Sequence, residues 1–322
     1  MHDPMPPTSG PGTDRHVVVG AGPVGRAVVA SLRTRGVEPV VVTRSGTVLP
    51  GARSRTADVA DPAGLGAALA DAAVVYQCSQ PPYHRWPQEF PAHQAAIVDA
   101  TAAAGAVLVV AENLYGYGPV AAPLTEDLPL VASTRKGAVR AAMWRDLEAA
   151  HRAGKVRVVA GRASDFFGPG VGASAVGDRF FGPLAKGRAV QVVGDPDRRH
   201  TYTYVPDFGE ALVRLGETPA AWGRAWHVPN APTVTTREFA ARAATAAALD
   251  REPRLRAVPR WQVRALGTII RPLGEIVEML YEFEEDFVVD HSAYAALLGD
   301  HATPLDEALA ATMPTDLAVA AR

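Results

Sequence analysis

The chain has 322 residues, 48% of them hydrophobic and 20% charged, with a formal net charge of -2. This is enough material for a sizeable core with a small appended lobe, and the near-neutral balance excludes the basic footprint of a nucleic-acid binder. A single cysteine, Cys78, excludes an internal disulfide and fits a reducing compartment, so the expected location is the cytoplasm.

Residues 1–14, MHDPMPPTSGPGTD, lack the basic start and apolar stretch of a signal peptide and read as a disordered tail. No apolar run reaches about eighteen residues without charge or proline, so no membrane span is expected. From Arg15 onward, β-branched runs alternate with Ala-rich segments, the pattern of strand–helix units in a parallel sheet. HVVVGAG (16–22) predicts a first strand, VVASLRTRG (28–36) its helix, and PVVVTR (39–44) a second strand. AAVVYQCS (72–79) and AVLVVAE (106–112) predict further strands, with EFPAHQAAIVDATAAAG (89–105) a helix between them. ASTRKGAVRAAMW (132–144) predicts a helix capped by Ser133 or Thr134, placing Lys136 and Arg140 one turn apart on one face. KVRVVAGRAS (155–164) predicts the next strand. Regular alternation then breaks, so residues 15–165 are expected to form a Rossmann-type α/β domain with a doubly wound parallel sheet, completed by parts of 200–230. Residues 166–322 would mainly form a smaller substrate-binding lobe, ending in a loosely held tail.

VVVGAGPVGRAVV places Gly20, Gly22 and Gly25 in a Gly-x-Gly-x-x-Gly spacing between a strand and a helix, with Pro23 and Val24 inside it. Gly20 permits the tight turn, Gly22 lets a pyrophosphate approach the backbone, and Gly25 allows close helix packing, while the helix start offers free N–H groups. A dinucleotide is therefore the expected cofactor. After the second strand stand Thr43, Arg44 and Ser45 with no carboxylate, which favours the 2′-phosphate of NADP(H), with NAD(H) the second choice.

The motifs jointly resemble the extended branch of the short-chain dehydrogenase/reductase superfamily, the NAD-dependent epimerase/dehydratase family. ADVADPAGL (57–65) looks like its Asp-hydrophobic adenine contact, here Asp58 and Val59; ENLYGYGP (112–119) looks like its strand end followed by Tyr-Gly. GRASDFFGPG (161–170) looks like Arg-x-x-Asn-x-Tyr-Gly-Pro-Gly, and HTYTYVPDFGEAL (200–212) like its aromatic-x-Tyr-Val-x-Asp segment. The resemblance covers nearly all of 15–310 and implies a Rossmann fold with an NAD(P)-dependent activity. It also implies a catalytic Tyr-x-x-x-Lys on the helix after the fifth strand, but here Lys136 falls at the Tyr position and Arg140 at the Lys position. The preceding Ser/Thr falls near Ala111 or Asn113, neither of which carries a hydroxyl.

Several residues are candidates to replace the missing groups. Arg140 can bind the nicotinamide ribose, and Lys136 can polarise a carbonyl or donate its proton. Tyr115 or Tyr117, at the carboxyl end of the fifth strand, can supply the phenol, and Asn113 can orient nicotinamide or substrate. CSQPPYHRW (78–86) would run Ser79, Gln80 and Pro81 beside the cofactor and turn Tyr83, His84 and Trp86 to the substrate. Asp165, Phe166, His200 and Tyr202 complete the expected substrate side. His200 stands where sugar-nucleotide members place an arginine for the diphosphate, and MLYEFEEDFVVDHSAY (279–294) would repel a diphosphate if its acids faced inward. Alternatively, a helix there packs Leu280, Phe283 and Phe287 into the lobe. No metal-ligand spacing or Gly-x-Ser-x-Gly elbow is present. The expectation is an NADP(H)-dependent oxidoreductase acting on a carbonyl or hydroxyl of a small, mostly apolar metabolite, in a monomer or homodimer. An NAD(P)-dependent epimerase/dehydratase of a modified sugar and a non-catalytic NADP(H) sensor are the alternatives.

Overall fold

The first β-branched run ends at a glycine turn from which a helix starts at once in the computed structural model, which describes residues 15–121, 123–249, 252–269 and 271–313. The expected N-terminal tail and nearly all of the expected C-terminal tail lie outside them. Strand β1 (His16–Val19) leads into α1 (Pro23–Thr34), where Pro23 takes a first-turn position that needs no N–H. Next come β2 (Val40–Thr43), β3 (Arg53–Thr56), α2 (Pro62–Leu69), β4 (Val74–Gln77) and α3 (Trp86–Ala103). Strand β5 (Val107–Asn113), α4 (Arg135–Arg152) and β6 (Arg157–Ala163) follow.

The lobe elements then begin with β7 (Asp165–Phe167), α5 (Asp178–Ala185), β8 (Val190–Val193), β9 (Arg199–His200) and β10 (Tyr202–Tyr204). Helix α6 (Val205–Glu217) and β11 (Ala225–His227) return the chain to the main sheet. Strand β12 (Val234–Thr235), α7 (Thr236–Ala246), β13 (Leu255–Val258), α8 (Arg260–Gly267) and α9 (Arg271–Ile276) lead back to the lobe. Helices α10 (Tyr281–Glu284), α11 (Ser292–Leu298) and α12 (Leu305–Thr312) close the order.

The seven-stranded sheet has the order β11-β6-β5-β4-β1-β2-β3, and every pairing in it is parallel. The fold is a Rossmann-type doubly wound α/β sheet. Both faces are apolar because helices cover both. One core joins Val17, Val40, Leu108 and Leu147; the other joins Val18, Val41, Val109 and Phe208. On the second face α6 lies against α1, so close that a Cβ on Gly209 would meet Ala27 backbone at 2.5 Å. The order in which the chain adds strands reverses between β1 and β4, and open α/β sheets bind ligands outside the carboxyl ends of their strands at such a point. A separate core of Phe167, Phe180, Phe181, Tyr202 and Phe239 supports the lobe that faces those ends.

Candidate active site

A cleft of about 540 Å³ opens at the carboxyl ends of β1, β4 and β5. At its β1 end lie Gly20, Ala21, Gly22, Pro23 and Val24. Gly20 has φ +110° and abuts the Cys78 carbonyl, so a side chain is excluded there. A Cβ on Gly25 would lie 2.1 Å from the Gly20 carbonyl oxygen, whereas one on Gly22 would meet nothing within 4 Å. The turn is thus closed toward the protein and open toward the cleft at Gly22. No side chain caps α1, which leaves its first amides to an incoming acceptor.

Gln77, Cys78, Ser79 and Gln80 continue the wall beyond β4, while the side-chain oxygen and nitrogen of Gln77 are buried without partners. Burial pushes the Cys78 thiol up to about 12. Pro81 does not reach the cleft; its carbonyl accepts a hydrogen bond from Trp86 Nε1 at 3.2 Å. Arg44, Ser45 and Asp58 are exposed beyond the cleft at the β2 and β3 ends, and Val59 is buried behind Asp58. Arg44 has no ion-pair partner among the described residues. Between this group and the cleft sits His93, which sequence reasoning passed over: its Nε2 lies 2.8 Å from Ser79 Oγ, and both Arg44 and Asp58 act on its charge. Burial holds its pKa below the ordinary histidine value.

The two α4 cations one turn apart, Lys136 and Arg140, are not solvated. Thr134 caps the helix by accepting from Gly137 N, and Lys136 and Arg140 are both buried. Arg140 lines the cleft, lies 4.9 Å over the Phe90 ring, and is 3.4 Å from both the Ala111 carbonyl and Glu112 Oε1. Lys136 does not line it, contrary to expectation. Its ammonium sits 2.5 Å from Glu275 and 2.8 Å from Glu278, beneath the Tyr83 ring at 4.4 Å, because carboxylates from the lobe reach it first.

Two further expectations are corrected by hydrogen bonding. Tyr117 is buried away from the cleft, where its oxygen accepts from Arg162 Nη1 at 2.7 Å and meets His227 Nε2 at 2.8 Å. Arg162 also donates to Glu112 at 3.0 Å, so the tyrosine is tied to a buried ionic chain under β5 and β6. Tyr202 lies in the lobe core, with its hydroxyl 2.8 Å from Thr236 Oγ1. His84 lies outside the cleft as well.

Tyr83, Trp86, Tyr115, Asn113, Asp165 and Phe166 do line it. Asn113 Oδ1 accepts from Tyr115 N at 3.3 Å, an Asx turn that places the tyrosine ring at the end of β5. Burial raises the pKa of Tyr115 well above the ordinary value, and that of Tyr83 beside it also rises. His200 stands behind Asp165, stacked 4.7 Å from Phe283. Its Nδ1 bonds the Glu282 carbonyl at 3.0 Å, and its Nε2 lies 2.9 Å from Asp165 Oδ2. A carbonyl only accepts, so Nδ1 carries the hydrogen of that bond.

The segment 279–294 is not one helix. Its helical turn stops at Glu285, whose backbone is extended, and Phe287 and Val289 then bridge to His200 and Leu124. This reversal turns Glu282 into the cleft, 3% exposed and with Oε1 unpartnered. Burial first and neighbouring Asp165 second raise its pKa well above the carboxylate range. Among the described residues, no group of three or more His, Cys, Asp or Glu is placed to hold a metal ion, and no helix is long and apolar enough to cross a membrane.

Residues 16–228 match the model of the NAD dependent epimerase/dehydratase family. The chain belongs to this family. Its fold is shared with the UDP-glucose 4-epimerase of Thermotoga maritima solved with UDP-glucose, at 17% identity over 92% of this chain and 97% of that one, TM-score 0.75. The UDP-N-acetylglucosamine 4-epimerase of Bacillus cereus matches at 16% identity, over 92% and 94%, TM-score 0.72. A dTDP-glucose 4,6-dehydratase double mutant from Streptomyces venezuelae with NAD bound matches at 18%, over 92% and 95%, TM-score 0.73. No curated protein matches the sequence. As a family member this is an NAD(P)-dependent enzyme of the extended short-chain dehydrogenase/reductase type. Its lysines stand only at 136, 155 and 186, and no tyrosine precedes any of them by four residues.

Proposed function

We propose that the protein is an NADP(H)-dependent oxidoreductase acting on a carbonyl or hydroxyl of a small metabolite that bears no diphosphate. The observation that carries this reading is the charge of the cleft beyond the glycine turn. Asp165 and Glu282 lie among aromatic walls there, and the lining cation Arg140 is already matched by Glu112. Such a wall offers a diphosphate no unpaired cation and suits an uncharged or cationic body.

The glycine turn and the open helix start fit a pyrophosphate, and the unpartnered Gln77 amide fits a polar ligand beside it. On this reading Gly20, Gly22, Pro23, Val24 and Gly25 form the cradle. Arg44 and Ser45 take the 2′-phosphate, Asp58 and Val59 the adenine, Ser79 and Gln80 the linking ribose, and Arg140 the nicotinamide ribose. The bound dinucleotide supplies or accepts the hydride. Tyr115 holds the proton: burial keeps its phenol neutral, so it donates to a substrate oxygen during reduction, with Tyr83 next to it able to pass a proton on. Trp86 and Phe166 exclude water from that oxygen.

Calorimetric titration with NADPH and NADH, followed by NADPH oxidation with a panel of carbonyl compounds, tests the proposal. Binding of NADPH in preference to NADH and stoichiometric consumption are expected; tight binding of UDP to the cleft would overturn the diphosphate-free reading. The family match favours one alternative, an epimerase or dehydratase of a modified sugar. That enzyme would carry copurified cofactor and consume none in turnover.

A further inference from the structure

The substrate end of the cleft holds two acids that no unpaired lining cation faces among the described residues. Its lining carboxylates among the described residues are Glu112, Asp165 and Glu282, against the single cation Arg140. Glu112 is spoken for twice, by Arg140 and by Arg162 at 3.0 Å. Lys136 adds nothing to the balance, since Glu275 and Glu278 both hold it. What remains is Asp165, backed by His200, and Glu282, whose Oε1 is buried and unpartnered at the cleft wall. An unpartnered buried carboxylate oxygen is costly unless something arrives to meet it. Around this pair stand the rings of Tyr83, Trp86, Tyr115 and Phe287, and aromatic faces attract cations.

We infer that the substrate presents an alkylammonium nitrogen to Asp165 and Glu282, within the ring of aromatic side chains at this end of the cleft. The inference deepens the proposed oxidoreductase reading and rests on it for the assignment of the other end to the cofactor. A cation between the two acids gives Glu282 Oε1 the donor it lacks. It also fixes the proton count. The groups facing Glu282 are Asp165 on β7, His200 on β9, Tyr281 on its own turn, and the Tyr83 and Tyr115 phenols. With Glu282 protonated before binding, arrival of a cation expels that proton. Affinity then rises by up to about tenfold per pH unit as pH increases, until Glu282 ionises unaided.

The experiment is calorimetry of the NADPH-saturated protein with n-butylammonium and, as the neutral isostere, n-butanol, in two buffers of different ionisation heat. The ammonium is expected to bind in preference to the alcohol with release of up to one proton. Glu282→Gln and, separately, Asp165→Asn are each expected to weaken ammonium binding about ten- to a hundredfold while leaving NADPH affinity intact, which shows that each variant is folded. Equal binding of butanol, absence of proton release, or wild-type ammonium affinity in both NADPH-binding variants would overturn the inference. Should NADPH itself fail to bind, the cofactor reading falls, and the same ammonium titration of the free protein still decides the inference.

Discussion

Arg44 stands exposed at the end of β2 with no ion-pair partner among the described residues, so its charge is available to a ligand. A guanidinium gripping a 2′-phosphate forms charge-assisted, bidentate bonds. Replacing it with alanine is expected to weaken NADPH about ten- to a hundredfold and leave NADH within about twofold, as read by titration of both. His227 makes a different kind of prediction. Its Nδ1 donates to the Asp290 carbonyl and its Nε2 faces the Tyr117 hydroxyl, which already accepts from Arg162. Neutral imidazole satisfies every partner, and burial, seconded by the Arg162 charge, lowers its pKa from 6.5 to about 4. As the pH falls through this window the unfolded chain takes up a proton that the folded chain refuses. The stabilisation from neutral His227 is therefore complete above about pH 6.5 and lost progressively toward pH 4. Urea unfolding at pH 7 and pH 5 should show the gap between wild type and His227→Gln narrowing by about 2 kcal/mol.

At the β1–α1 junction, two glycines three residues apart do opposite things. A methyl at Gly25 strikes the Gly20 carbonyl, so Gly25→Ala must push α1 off β1; a methyl at Gly22 enters open space. Gly25→Ala is expected to lose roughly 1–3 kcal/mol of stability together with dinucleotide binding. Gly22→Ala should keep its denaturation midpoint and lose affinity alone, because only the ligand needs that space. The same junction was legible in the sequence, since strand, spacing and helix start all lie within a few residues. Elements whose signal is tertiary were not legible. Strand β3 reads RSRT, an edge strand with polar faces and no alternation to betray it. Helix α3 begins at Trp86 rather than at Glu89 because Pro87 sits in its first turn, where proline is accepted. Glu282 enters the cleft only because the chain turns extended at Glu285 and bridges to β9, a pairing with no local trace. Lys136, Tyr117 and Tyr202 likewise carry no local trace of their surroundings, each held by partners at least about thirty residues away.

Across the whole molecule, the Rossmann sheet and the lobe meet at the start of α4. That helix begins with two cations and no acid in its first turn, an arrangement opposed by the helix dipole. The lobe supplies the missing charge. Glu278 accepts from Arg135 N at 2.7 Å and from Lys136 at 2.8 Å, while Glu275 holds Lys136 from the other side. Lys136 also supports the Tyr83 ring at the cleft wall, so the joint between the two halves sits directly behind the substrate end. Lys136→Met removes the buried cation that Glu275 and Glu278 share, leaving Arg135 at 3.4 Å from Glu275, and should cost roughly 2 kcal/mol. The loss should be local: hydrogen exchange of residues 275–284 rises while that of β1, β4 and β5 stays fixed, because the lysine's ionic partners Glu275 and Glu278 both lie in that segment. Turnover should fall through loosening of the Tyr83 wall, with the substrate KM rising more than kcat drops. A variant with unchanged exchange in 275–284 but no measurable kcat would instead make Lys136 the proton donor, and the ion pairs that now occupy it a resting arrangement.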